Sequence, residues 1–127
     1  MSILIEVRTE AMMQTSKELK VRCWIDIDGK KFFGPGRAQL LQLIDKNGSI
    51  SKAAKEMGMS YRKAWAMVED MNQRGQQPYV ELHKGGTKGG GAELTKTGEE
   101  VLSIFLKMNE EITSTVQQHS GKMLGLI

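Results

Sequence analysis

Arg62 and Lys63 stand side by side, and Lys52, Lys55, Lys84, Lys88 and Lys96 surround them in a chain of 127 residues. A guanidinium can hold the O6 and N7 edge of a guanine through two parallel hydrogen bonds. An ammonium is a compact charge suited to a phosphate. This pattern is the chemistry of gripping a polyanion, with Arg62 as the candidate base reader. Lys63 is either a second reader or a phosphate contact, and the other five lysines are candidate phosphate contacts. Ser51 and Ala66 complete the candidate DNA-binding set on this reading.

The total charge carries little information, because it is only +3. Its distribution carries more. Ser49 to Thr97 holds eight Lys and Arg against five Asp and Glu, whereas Gly98 to Gln118 holds one Lys against four Glu. The positive charge therefore lies where a nucleic-acid surface needs it, and the acidic stretch lies outside.

Other chemistries find fewer residues. Cys23 is the single cysteine, so neither an intramolecular disulfide nor a thiolate zinc cluster is available. His83 and His119 lack co-ligands at metal spacing. No paired carboxylates or nucleophile–base set has a recognisable spacing, so an enzyme is not expected, and neither is a cofactor. The Gly-rich run Lys84 to Gly91 lacks the Gly-Lys-Ser/Thr ending that opens a helix in a nucleotide-binding loop. Nothing reads as a signal peptide or a membrane span, and the cytoplasm is the expected compartment.

The elements that would carry the cations follow from local rules. Ser49 to Trp65 reads as a short helix containing Ala53 and Ala54, a turn at Gly58-Met59, and a second helix opened by Ser60 as N-cap. That order is a helix-turn-helix, although a plain helical hairpin in a bundle would share it. The second helix, Tyr61 to about Gln73, carries Tyr61, Ala64, Trp65, Val68 and Met71 at helical spacing as its inward stripe. Trp65 is read as core. The opposite face runs from Arg62, Lys63 and Ala66 to Glu69, Asp70 and Gln73, cationic first and acidic after. Such a helix would enter a groove by its N-terminal end.

Upstream, Leu19, Val21, Cys23, Ile25 and Ile27 alternate with polar residues as in a half-buried strand, and Asp28-Gly29 turns it back through Lys31 to Phe33. Trp24 falls on the polar face, as a partner contact or as a ring covered by the fold. A helix follows Gly34-Pro35-Gly36 and ends at Asn47-Gly48. Downstream, Tyr79 to His83 and Ala92 to Thr95 frame the Gly- and Lys-bearing tip as a second hairpin, a wing. The last helix begins at Thr95 or Thr97, with Thr97 and Glu100 as a capping box, and Gly121 is its expected end. Its apolar stripe of Val101, Phe105, Met108, Ile112 and Val116 needs a cover, either the domain itself or the same helix of a second copy, and a homodimer interface is the favoured reading. Nine methionines raise soft-metal sensing, but Met57, Met59, Met67 and Met71 fall in or beside packed helices as core filling.

The expected class is α+β: a winged helix-turn-helix with an N-terminal β-hairpin and a long C-terminal helix. Residues 1–18 form an arm, 19–97 the DNA-binding domain, and 98–127 the dimerisation helix with a short tail. Two rivals remain on this reading: a winged helix that docks an acidic protein, and an architectural DNA-binding protein without a preferred site.

Met59 to Asn72 (MSYRKAWAMVEDMN) and Gly85 to Thr95 (GGTKGGGAELT) together resemble the N-terminal domain of the ModE-type molybdenum-dependent transcriptional regulators. Those are winged-helix proteins distantly similar to LysR-type regulators. The resemblance runs from about Leu19 to about Val116. It implies a prokaryotic, dimeric regulator on a two-fold symmetric duplex site, with Ser60, Tyr61, Arg62 and Lys63 in or beside the major groove. It places Thr87 and Lys88 against the flanking backbone, and molybdate-uptake or molybdoenzyme genes as the regulon. The family's molybdate sensors carry C-terminal oxyanion-binding modules that this sequence does not contain, so molybdate binding is not expected of it.

Overall fold

A computed structural model of the chain describes residues 15–86 and 89–127. The chain divides into two compact units, Arg22–Ile112 and the two chain ends. Of the expected N-terminal arm, residues 1–14 lie outside the described residues, and so do Thr87 and Lys88 of the wing tip.

The larger unit opens with β1 (Ile25–Ile27) paired antiparallel to β2 (Lys30–Phe33). The turn between them has φ 51° at Asp28 and 78° at Gly29, the left-handed pair that a tight two-residue hairpin requires. The strand expected from Leu19 is corrected here, since pairing begins only at Ile25. Its partner runs out first. Gly34-Pro35 ends β2, and proline has no N–H to extend a ladder. Without a partner, the alternating pattern creates no buried face, and Leu19 and Val21 are exposed.

Three helices follow: α1 (Pro35–Asn47), α2 (Ile50–Glu56) and α3 (Tyr61–Arg74). Ser49 caps α2 by accepting from the Lys52 N–H at 3.2 Å, and Ser60 caps α3 by accepting from the Lys63 N–H at 3.1 Å. Between them Gly58 takes φ +67°. The Gly58 N–H donates to Lys55 O at 3.1 Å and the Met59 N–H to Ala54 O at 3.0 Å, the crossed pair of a Schellman ending. The helices cross on alanines, with Ala53, Ala54 and Ala64 buried. Leu40, Leu41 and Ile44 of α1 and Met71 of α3 fill the centre.

Polar clamps fix these helices to the hairpins. Asp70 accepts from both Arg37 and Arg74, and Arg74 donates onward to the backbone oxygens of Lys31 at 3.0 Å and Lys30 at 3.2 Å. The late acidic stretch of α3 is therefore an internal bolt in part, rather than the open face expected. Partial burial pushes the Asp70 carboxyl up, but the two guanidinium partners outweigh it and hold it below its ordinary range. At the other end of α1, Glu56 accepts from Asn47 at 2.7 Å and from Lys46 at 3.3 Å, which lowers its carboxyl as well.

The second hairpin pairs β3 (Val80–Gly86) with β4 (Gly89–Leu94), from Val80–Leu94 to Gly86–Gly89. Its ladder thus runs further into the glycines than the expected tip from Lys84 to Gly91. Asn72 orients it: its side-chain oxygen accepts from the Tyr79 and Val80 N–H groups at 2.8 and 3.1 Å, and its nitrogen donates to Val80 O at 3.0 Å. A further bond, Ala92 N–H to Gly48 O at 2.9 Å, ties β4 to the α1–α2 junction.

The last helix, α4 (Lys96–Gly125), starts on Thr95, whose hydroxyl accepts from the Gly98 N–H at 3.0 Å and donates to Pro78 O at 2.7 Å. Thr95 is therefore the cap, and the Thr97–Glu100 capping box does not form. Gly98 explains the choice. Its bare Cα lies against the Tyr79 carbonyl, where any Cβ would collide, so the first turn can only be seated here with glycine. Gly121 does not end the helix, because glycine tolerates helical angles at a cost of about 1 kcal/mol and nothing there demands a left-handed residue.

Phe105 also needs correction. It is 3% exposed and meets Phe33 edge-on at 5.1 Å, so it belongs to the domain's own core and offers no surface to a second copy. Val101 and Met108 pack partly against that core too, and Ile112 stays half-exposed.

Candidate nucleic-acid interface

The helix-turn-helix cap geometry directs the start of α3 outward. Ser60, Tyr61, Arg62, Lys63 and Ala66 are all exposed, as are Ser51, Lys52 and Lys55 on α2. The first N–H groups of α3 have no intrahelical acceptor, so the helix start adds partial positive charge to that of Arg62 and Lys63.

A cleft of about 450 Å³ lies between these helices and the second hairpin, lined by Ser49, Ile50, Ser51, Tyr61, Leu82, His83, Gly91 and Ala92. It joins Ser51 and Tyr61 of the expected set to the base of the wing. A second, shallower depression of about 240 Å³ is lined by Tyr61, Arg62 and Trp65. Lys84 is exposed on β3.

Three cations of this unit are set apart from the rest by their carboxylate partners. Arg37, Arg74 and Lys46 are paired with Asp70 or Glu56 and hold the helices together. Lys52, Lys55, Arg62 and Lys63 enter no ion pair among the described residues. A paired guanidinium has its hydrogen bonds occupied, whereas an unpaired one is available to an incoming anion. The hairpin contributes less charge than its tip implies. Glu81 and Glu93 face each other across the ladder, and His83 contacts Glu93 at 3.0 Å. Among the described residues of the hairpin, the exposed positive charge is thus that of Lys84.

Two side chains depart from the reading of the sequence. Trp65, expected in the core, is 37% exposed, and Tyr61 of the same inward stripe is 55% exposed. The buried arc of α3 is centred on Ala64, Val68 and Met71, and the two rings lie at its edge. Asn72 carries no signature in the sequence, because an asparagine late in a helix gains its role only once the strand it clamps is in place.

Among solved structures, this architecture is similar to that of the full-length LTTR LysG from Corynebacterium glutamicum with its effector Arg bound. The TM-score is 0.54 at 21% identity, over 72% of this chain and 29% of that one. The likeness is one of fold alone, a winged helix-turn-helix. No protein-family model matches the chain. Sequence relatives narrow the class. The transcriptional regulator ModE of Yersinia pestis is 37% identical over 94 residues, 74% of this chain and 34% of its own length. The DNA-binding transcriptional dual regulator ModE of Escherichia coli K12 is 35% identical over 100 residues, 79% and 36% respectively. The molybdenum transport protein ModE of Azotobacter vinelandii is 30% identical over 109 residues, 86% and 40%. This chain is homologous to the N-terminal region of the ModE regulators, and it spans somewhat more than a third of their length. No helix among the described residues is long and apolar enough to cross a membrane.

Proposed function

We propose that this chain is a winged helix-turn-helix transcriptional regulator that binds duplex DNA sequence-specifically, as a homodimer on a two-fold symmetric operator. The observation that carries the reading is the split among the cations. Arg37, Arg74 and Lys46, which hold the fold, are paired, whereas Lys52, Lys55, Arg62 and Lys63 of α2 and α3 are exposed and enter no ion pair among the described residues. The homology to ModE regulators supports the same conclusion. In this reading α3 enters the major groove by its N-terminal end, Arg62 takes a guanine edge, and Lys52, Lys55 and Lys63 hold phosphates. Ser51, Ser60, Tyr61 and Ala66 line the same surface, and Lys84 with Thr87 and Lys88 meets the flanking backbone. Genes for molybdate uptake or molybdoenzymes are the proposed regulon, in line with the Azotobacter vinelandii relative, a molybdenum transport protein.

The test is a fluorescence-anisotropy titration against the duplex upstream of the chain's own gene and against a shuffled duplex, each at several salt concentrations. The reading expects a preference of ~10³ or more for one sequence, with affinity falling steeply as salt rises. Equal binding of both duplexes would favour an architectural role, and binding of neither would favour a protein-docking surface.

A further inference from the structure

Ala64, Val68 and Met71 occupy the buried side of α3 and leave the Tyr61 and Trp65 rings exposed one helical turn apart. Both rings line the shallow depression beside Arg62, and Tyr61 also lines the cleft under the hairpin. The aromatic pair is therefore continuous with the cationic surface. Neither ring stacks on another aromatic or under a cation among the described residues.

An apolar pair inside a cationic surface needs an occupant that is apolar at one spot and anionic around it. Duplex DNA meets that description. Its base faces are stacked and closed to a helix in the groove, but the C5-methyl of thymine projects into the major groove as an apolar knob among phosphates. Arg62, which lines the same depression, enters no ion pair among the described residues and matches those phosphates in charge. A purely apolar protein partner would leave this cation desolvated and unmatched.

We propose that Trp65, with Tyr61 beside it, is a specificity-determining residue that packs against thymine methyl groups near the base pair read by Arg62. This rests on the DNA-binding reading above and names a sequence preference within it. Arg62 would select guanine by hydrogen bonds, and the ring pair would select thymine by an apolar contact.

The experiment has two stages, chosen so that the two readings fail separately. Duplexes bound by the full chain are first recovered from a random pool, which tests the DNA-binding reading by itself. Each thymine of the recovered site is then replaced by deoxyuridine, which removes only the methyl group, and wild type, Trp65→Ala and Trp65→Phe are titrated on each duplex. Wild type is expected to lose about fourfold at the contacted thymines, the worth of one buried methyl. Trp65→Ala should bind thymine and uracil duplexes alike at those positions, and Trp65→Phe should restore part of the difference. A recovered site without thymine, indifference of wild type at every position, or an undiminished penalty in Trp65→Ala would overturn the proposal. If Trp65→Ala fails to fold, Trp65→Phe decides the matter, since a penalty equal to that of wild type with the smaller ring would place the methyl contact elsewhere.

Discussion

At the scale of the residue, charged side chains of one type do opposite work according to their partners. Arg62 and Arg74 both lie on α3, yet Arg74 is committed to Asp70 and to backbone oxygens of the first hairpin, while Arg62 has no ion-pair partner among the described residues. Arg62→Ala should therefore leave stability within about 0.5 kcal/mol of wild type, as for an exposed site away from packing. Comparative titration of several duplexes should show its relative affinities flattened, because a lost bidentate contact removes about 1–3 kcal/mol of discrimination. Unchanged relative affinities would remove Arg62 from the role of base reader. Asp70 makes the contrasting prediction. Its carboxyl is held below its ordinary value of 3.8, so its contribution to stability is fully present above that value and is lost as pH falls through the lower folded value. Asp70→Asn should cost about 1–2 kcal/mol at neutral pH, and thermal unfolding followed downward in pH should show the two proteins converging. A constant gap from pH 7 to strong acid would exclude the ion-pair account.

At the scale of the element, helix starts and turns were legible in the sequence because their signals are local. Ser60, Gly58, Asp28-Gly29 and Pro35 each impose a cap or a backbone angle without help from distant residues, and each does so in the structure. The features that were not legible depend on what comes to lie alongside. The strand expected from Leu19 lacked a partner beyond Phe33, and the cap of α4 moved from Thr97 to Thr95 because Gly98 fits the Tyr79 carbonyl. Trp65 was misplaced because helical spacing alone does not fix how wide the buried arc is. Asn72 is the strongest case of such dependence, since its two bonds to Val80 of β3 and one to the preceding Tyr79 orient the second hairpin against α3. Asn72→Ala leaves those strand groups unpaired beside buried Tyr79 and Val80, and chemical denaturation should report a loss of about 1–3 kcal/mol. If the variant unfolds like wild type, the hairpin is held by its apolar contacts alone.

At the scale of the whole molecule, the account requires two copies of α3 placed on successive turns of a duplex, and hence a dimer. The dimer stripe read from the sequence must shrink, because Phe105 is inside the domain and Val101 and Met108 are partly engaged there. Ile112 is the residue of that set best placed to test association without disturbing the core. Ile112→Glu should shift sedimentation equilibrium toward monomer while thermal stability at low concentration stays near that of wild type. A variant that remains fully dimeric would place the interface elsewhere. The central claim, however, is that unpaired cations at the starts of α2 and α3 hold the DNA, and that paired ones do not. Its most direct test is the slope of log affinity against log salt for wild type, Lys52→Ala, Lys63→Ala and Lys46→Ala on one duplex. The account predicts a slope shallower by about one for each variant that removes a phosphate contact, Lys52→Ala and Lys63→Ala, and an unchanged slope for Lys46→Ala, whose ammonium pairs with Glu56. Equal slopes for all four proteins would contradict it.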